Sequence, residues 1–269
     1  MTARRPIHPT VFERPHHQRI ASVLQGLDGE LLRTHACSFG GGTAIALRYG
    51  EFRESVDIDF LVSDLAHYRQ LRLLATGPRG FAALARGGVA PWAAAQPVRA
   101  DQYGIRGHVV VVGQPIKLEI VLEARIALQP ARTADDVCGV PSLTALDLAA
   151  SKLLANADRW LDDVVFSRDV IDLAMMRPRL PLLREALSKA EQAYGQAVRR
   201  DLGRAIDRLA ERTGLAGALH AGHGDPRAQG AAVATHPRAA ARAVSQNHRA
   251  ASGISTDASS TCRPSASPA

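Results

Sequence analysis

The chain is poor in aromatic residues and cysteine, and it lacks a long apolar run. Aromatic side chains make up 4% of its 269 residues, so aliphatic side chains must form most of the core. Three cysteines, far apart, fit neither a disulfide framework nor a zinc-ligand spacing. No segment approaches the roughly 20 apolar residues that cross a bilayer, and the first residues lack the apolar centre of a signal peptide. We therefore expect a cytoplasmic protein with no membrane partner.

Size and charge set further limits. The chain is 46% hydrophobic, enough to bury a core in one large domain or two small ones. Its net charge is +7, of which residues 221–269 contribute +3. That segment contains no Leu, Met or aromatic residue, so it cannot bury enough apolar surface to offset the entropy of ordering. The remaining basic excess is compatible with an RNA substrate, and equally with an arginine-rich coding bias.

A glycine-rich turn precedes a short predicted helix. Gly40, Gly41 and Gly42 follow a predicted strand over 34–39, and Thr43 begins the helix. Glycine lets the backbone approach phosphate oxygens, and a helix N-terminus supplies free N–H donors with positive dipole charge. Thr43 would add a hydroxyl donor or cap the helix. The turn predicts a site for the β- and γ-phosphates of a nucleoside triphosphate, although a glycine triplet alone is equally typical of a tight turn.

Three carboxylates follow on predicted strands. Asp57 and Asp59 alternate along a strand over 55–62, so they face the same side, and Glu119 lies mid-strand in a later hairpin. Ionised carboxylates on an apolar strand are costly without cations. Carboxylate oxygens bind Mg²⁺, and two such ions about 3.5 to 4 Å apart support nucleotidyl transfer. We therefore predict two Mg²⁺ ions held by these three residues.

Other polar residues near the turn have two interpretations each. Arg48 and Arg53 could reach phosphates or belong to the surface. Ser55 could contact the triphosphate or cap the strand. Five histidines show no metal-ligand spacing with Cys or Glu, so we interpret them as structural or surface residues: His16, His17, His35, His67 and His108.

The remaining pattern is mostly helical. Thr144 and Asp147 resemble a capping box at the start of a helix. Apolar spacing predicts the other helices and the hairpin. The predicted helices span 13–27, 43–49, 64–75 and 163–176, one or two more cover 181–213, and the hairpin strands span 108–112 and 116–122. This pattern predicts an α/β domain over 1–140, a helical domain over 141–218 and a disordered tail over 219–269.

Together these segments resemble a known family. The stretch from Gly40 to Asp59 is similar to the first motif of the DNA polymerase beta nucleotidyltransferase superfamily, specifically of AbiEii-type toxins. That family also has a short hydrophobic-acid-hydrophobic strand, matched by Leu118-Glu119-Ile120, and an alanine-spaced lysine on a helix, matched by Lys152. An arginine followed by aspartate on the next helix is matched by 168–172. The resemblance covers about residues 35–175.

The resemblance implies roles for the helical residues. Lys152 would supply a mobile positive charge over the triphosphate, although lysine is often a surface residue. Arg168 would contact the nucleotide or pair with Asp172 one helical turn away. Asp172 would orient Lys152 or contact the ribose or base, and Asp169 competes for that role. The sequence does not separate the two aspartates.

The resemblance also implies an α+β fold and a function. The fold would be a polymerase-beta-like nucleotidyltransferase core, a small mixed sheet flanked by helices, joined to a C-terminal helical bundle in a bi-lobed molecule. The protein would be a toxin that transfers a nucleotidyl group from an NTP to RNA, at the 3′ end of tRNA as in related toxins. A cognate antitoxin would neutralise it.

Two alternatives remain open at this stage. The same core could modify a small molecule such as an aminoglycoside. An acidic pocket beside the carboxylates would favour this small-molecule substrate, whereas a basic groove there would favour RNA. The chain could instead be a catalytically idle module that binds another polypeptide.

Overall fold

The computed structural model describes residues 12–94, 96–165 and 167–221, without the side chains of 165 and 212–221. The predicted disordered tail therefore lies, from residue 222 onward, outside the described residues. The helices are α1 Pro15–Gly26, α2 Gly29–Thr34, α3 Gly41–Arg48, α4 Leu65–Thr76, α5 Ala145–Arg159, α6 Arg168–Met176, α7 Leu180–Tyr194 and α8 Ala197–Ala221. The strands are β1 Ser38–Gly40, β2 Ile58–Val62, β3 Ala93–Ala94, β4 Arg99–Ala100, β5 Gly104–Val111 and β6 Gln114–Leu122.

The strands form one mixed sheet. Its order is β1-β2-β6-β5-β3, and β4 also pairs with β5. Only the β2–β6 pair is parallel within the described sheet; the others are antiparallel. The register places Asp59 beside Glu119 on β6 and Gly40 on β1. The candidate site thus lies where the two central strands meet the glycine turn.

The α+β class with a small mixed sheet flanked by helices is confirmed. On β2, Ile58, Phe60 and Val62 are buried, so the strand's apolar face forms core, and Phe60 packs against Phe39 with ring centroids 5.7 Å apart. Aliphatic side chains dominate the rest of the core, as the scarcity of aromatics predicts. No described helix is long and apolar enough to cross a membrane.

Several predicted elements have different bounds in the structure. The strand predicted over 34–39 is shorter and later in the structure, where β1 covers Ser38–Gly40 and Thr34 is the last residue of α2. Asp28 caps the start of α2 by accepting hydrogen bonds from the N–H groups of Glu30 and Leu31. Asp57 precedes β2 instead of lying within it. The helix predicted over 163–176 begins at Arg168, and the one predicted to end at residue 213 continues to Ala221.

Helix α5 connects the sheet region to the following helices. It packs against α7, α6 and α8, and also against α3, which follows the glycine turn. The domain boundary near residue 140 stays a prediction. Thr144 caps α5 as expected, since its hydroxyl accepts a hydrogen bond from Asp147 N (3.2 Å). The reciprocal half of a capping box is absent here: the Asp147 carboxylate binds Gln129 N (2.7 Å) and the Lys189 ammonium.

Replacing the cap residue should destabilise α5. We expect Thr144→Ala to lower the free energy of unfolding by about 1 kcal/mol, because it leaves a helix N–H group without its acceptor. Urea denaturation followed by circular dichroism measures the change. Thr76→Ala is the matched control, since Thr76 is exposed at the end of α4, where its hydroxyl donates to the Arg72 carbonyl, and its loss should change stability far less. Equal losses in the two variants would contradict the assignment.

Candidate active site

Each glycine of the turn is required by a different neighbour. A side chain at Gly40 would collide with Leu61 and Leu143. Gly41 has φ +67°, and a Cβ there would lie 2.5 Å from Asp59 Oδ2. A Cβ on Gly42 would lie 2.1 Å from an Arg53 guanidinium nitrogen. The backbone of the turn therefore packs closely against the side chain of Asp59 on one side and that of Arg53 on the other.

The carboxyl group of Asp59 has a raised pKa. Burial, then the charge of Asp57, then that of Glu119 raise its pKa to about 6. The ion pairs at this edge of the described sheet go to Glu119, and neither Asp57 nor Asp59 is in ion-pair contact with a cation among the described residues, although the charges of Lys117 and Lys152 partly lower the pKa of Asp59. Two neighbouring carboxylates that lack cation partners fit a divalent cation, since carboxylate oxygens are the ligands it prefers.

Glu119 differs from the other two carboxylates. It lies beside Asp59 in the parallel register, but Lys117 donates to it at 2.6 Å and Arg106 Nε donates to its other oxygen. The Glu119 contact raises the pKa of the Lys117 ammonium above its ordinary range. The described residues contain no group of three or more His, Cys, Asp or Glu side chains placed to hold a metal ion. The shared metal site of Asp57, Asp59 and Glu119 stays a prediction.

A buried cluster of charges lies behind the glycine turn. Lys152 contacts both candidate aspartates, Asp169 at 2.9 Å and Asp172 at 2.7 Å. Arg53 donates to both oxygens of Asp172 (2.7 and 2.9 Å), and Arg159 does the same for Asp169 (2.7 and 2.9 Å). Burial opposes ionisation of Asp169, but Arg159 and Lys152 hold its pKa below the ordinary range. The sequence left the two aspartates as competitors; in the structure they share one lysine.

This cluster changes the interpretation of several predicted residues. Asp172 pairs with Arg53 and Lys152, and not with Arg168, which is exposed on α6. The Arg53 guanidinium lies in a part-buried ion pair instead of on the surface. Arg48 contacts Asp135 (2.9 Å) and the Leu143 carbonyl (2.7 Å).

Ser55 and Thr43 support the chain that leads to Asp57. Their hydroxyl oxygens are 2.8 Å apart, and Thr43 donates to the Asp57 carbonyl at 2.5 Å. Thr43 is buried, so its hydroxyl fixes the backbone. The Ser55 N–H donates to His17 Nε2 (3.1 Å).

Sequence reasoning missed Arg106 and Arg159 entirely. Arg106 meets Glu119 because the two residues are opposite each other in the β5–β6 register. Arg159 is seven residues after Lys152, which places both on one face of α5. A search for basic residues on the Lys152 face could have found Arg159, whereas Arg106 required the strand register.

The family assignment follows from the sequence profile described as "Nucleotidyl transferase AbiEii toxin, Type IV TA system", which matches residues 24–245. The chain belongs to the AbiEii family. It is therefore a nucleotidyltransferase and the toxin of a type IV toxin–antitoxin system, which implies a cognate antitoxin.

Two solved structures are similar to this AbiEii chain at low identity. A candidate nucleotidyltransferase from H. pylori has 13% identity and a TM-score of 0.46, with 90% of this chain and 96% of that chain covered. JHP933 from Helicobacter pylori has 14% identity and a TM-score of 0.44, with 87% and 91% covered. No curated protein matches the chain.

The raised pKa of Asp59 predicts a pH-dependent cost to stability. In the metal-free protein, the folded state binds a proton on the Asp59 carboxyl more tightly than the unfolded chain does, because in the unfolded chain this carboxyl has its ordinary pKa. The stabilisation from this group is therefore complete below pH 4 and is lost as the pH rises through about 6. We expect Asp59→Asn to raise the free energy of unfolding at pH 7.5 by on the order of 2 kcal/mol, with little change at pH 4.

Urea denaturation with a chelator present measures this difference. Added Mg²⁺ should stabilise the wild type and not the variant, because the ion binds the ionised carboxylate. A variant that is less stable than the wild type at pH 7.5 without metal would contradict the assignment.

Proposed function

We propose that this toxin transfers a nucleotidyl group from an NTP to RNA, with the 3′ end of tRNA as acceptor and two Mg²⁺ ions at the site. The observation that carries the proposal is that Asp59 lies against the backbone of Gly41, with the charge of Asp57 close enough to raise its pKa, and that neither carboxylate has a cation in ion-pair contact among the described residues. Carboxylates in this position can hold cations that also bind a triphosphate placed at the start of α3.

A row of charged residues across the sheet supports an RNA acceptor. The strand register aligns Asp59, Glu119, Arg106 and Arg99 on four adjacent strands. Lys117 and His108 form the neighbouring cross-strand pair. Arg99 and His108 are exposed, and Arg106 and Lys117 are each 40% exposed. Arg106 also donates to exposed Asp101 (2.9 Å), and the positive charges of Arg106, Lys117 and Arg99 still exceed the negative charges of Glu119 and Asp101 by one. This excess suits a polyanion better than a cationic aminoglycoside.

Each residue of the site has a proposed role. Asp57 and Asp59 bind the ions, which would neutralise the phosphate charge and activate the attacking hydroxyl when bound. The backbone N–H groups that begin α3, at Gly41 and Gly42, face the β- and γ-phosphates. Glu119 holds Arg106 and Lys117 toward the acceptor; its role as a metal ligand stays a prediction, since it would have to exchange one of these cations for the ion.

The buried cluster supplies positive potential behind the turn. The cluster contains three positive charges, on Lys152, Arg53 and Arg159, and two negative charges, on Asp169 and Asp172. The Lys152 charge lowers the pKa of Asp59, opposing the larger effect of burial. We propose that this excess charge attracts the triphosphate, while Lys152 itself stays between the aspartates.

The direct test is transfer of label to RNA. Purified protein is incubated with Mg²⁺, each α-labelled NTP in turn, and total RNA or protein extract. We expect label in the tRNA-sized fraction for the wild type and at least about a hundredfold less for Asp57→Asn, because the nucleotide's cations lose a ligand. Growth arrest on expression should be lost with it. Label in protein would overturn the RNA acceptor, and arrest by the variant would favour an idle binding module.

The basic row has its own test. We expect Arg99→Glu to reduce RNA labelling about five- to tenfold at low salt, with the difference shrinking as salt is raised. Arg184→Glu, an exposed change on α7, is the matched control and should leave labelling unaltered. Equal rates in the two variants would remove the sheet row from the acceptor path.

A further inference from the structure

The N-terminal end of α1 holds the segment that connects α3 to β2. The first backbone groups of this helix have no side-chain cap of their own, since the N-cap residue Arg14 makes none. The Glu51 carboxylate binds just before the helix: it accepts from Glu13 N (2.7 Å) and from the N-cap residue, Arg14 N (3.3 Å). Arg14 Nε in turn donates to the Glu51 carbonyl (3.1 Å). Helix and segment are therefore joined from both sides.

Glu51 makes these contacts in an unfavourable backbone conformation. Its φ is +49°, in the left-handed region where a side chain costs energy and glycine is favoured. Burial raises its pKa, but hydrogen bonds from Glu13, His17 and Arg14 outweigh that effect and hold the pKa below its ordinary range. The carboxylate contacts thus offset a strained backbone at this position.

His17 links Glu51 to Ser55, further along the segment between α3 and β2, by hydrogen bonds at both nitrogens of its ring. Its ring is completely buried on α1, with Nδ1 2.6 Å from Glu51 Oε1 and Nε2 3.1 Å from the Ser55 nitrogen. A backbone N–H can only donate, so Nε2 must be the unprotonated acceptor. Nδ1 therefore carries the proton and donates it to Glu51. The ring is fixed in one tautomer by its two partners.

The contacts continue to Asp57. Ser55 meets Thr43, whose hydroxyl donates to the Asp57 carbonyl. His16 adds a second contact from α1, with Nε2 3.0 Å from the Val56 carbonyl. An unbroken series of hydrogen bonds thus joins α1 to the backbone that presents Asp57 beside the glycine turn.

We propose that His17, held in its Nδ1–H form by Glu51, is a positioning residue that fixes the backbone of Asp57 for catalysis. It touches neither nucleotide nor metal and acts through Ser55. The proposal rests on the proposed role of Asp57. Loss of the His17 ring would displace the Asp57 carboxylate rather than remove it. Small displacements of reacting groups lower reaction rates by large factors.

The tautomer is tested by the ring nitrogen chemical shifts. Two-dimensional ¹⁵N spectra of histidine-labelled protein should show a protonated Nδ1 and a bare Nε2 for His17. The opposite pattern, with the proton on Nε2, would overturn the proposal because Ser55 could no longer donate to the ring.

Two substitutions test the positioning role. His17→Leu should slow label transfer about ten- to a hundredfold in kcat with the NTP KM within about twofold, because binding contacts remain. Its metal-free form should exchange the amides of 51–57 faster and bind Mn²⁺ more weakly. His17→Gln offers one acceptor and one donor, and it should recover most of the rate. His35→Leu is the control, since His35 bonds a carbonyl of its own helix.

The outcomes separate the two proposals. If Asp57→Asn is inactive while folded His17→Leu keeps the wild-type rate, or if His17→Gln is as slow as His17→Leu, the positioning role fails and the proposed function stands. If Asp57→Asn is active, the proposed function itself fails. Should His17→Leu not fold, Glu51→Gly replaces it, because glycine takes φ +49° freely and removes the Glu51 side chain with its contacts to Glu13, Arg14 and His17. Unchanged exchange over 51–57 in that variant would also contradict the proposal.

Discussion

The structure depends on the buried charges around Lys152. Asp172 is completely buried and Asp169 nearly so, and the cost of burying these two carboxylates is offset by the cations that face them. Those cations come from separate parts of the chain: Arg53 from the segment before β2, and Lys152 and Arg159 from α5. Removing one partner would leave unpaired charge in the interior, so the cluster holds the helices in a fixed position against the sheet.

Each of the few lysines of the chain forms an ion pair with a buried carboxylate. The sequence has three, Lys117, Lys152 and Lys189, and each pairs with a carboxylate that is at least seven-eighths buried. The basic residues elsewhere are arginines. A lysine ammonium is a compact charge that can lie between two carboxylates, as Lys152 does, whereas the arginine fork suits the bidentate contacts of Arg53 and Arg159.

The sheet has negative charge at one end of the candidate site and positive charge at the other. Asp57 and Asp59 concentrate negative charge at the glycine turn, and Arg106 and Arg99 place positive charge on the following strands. Glu119 lies between them and is neutralised from the basic side. A cation bound at the acidic end and a polyanion lying along the basic end would therefore each meet charge of the opposite sign.

The sequence by itself determined the glycine turn, most of the helices and the cap at Thr144, because each follows from local periodicity or from a short motif, and the resemblance to the family implied the α+β fold class. It also indicated the family, since the four motifs occur in order. The tertiary structure decided which charges meet: Arg53 with Asp172, Arg106 with Glu119, and His17 with Glu51 and Ser55. These partners are 13 to 119 residues apart. Their pairing depends on strand register and helix docking, which are set by packing of the whole core and leave no local signal in the sequence.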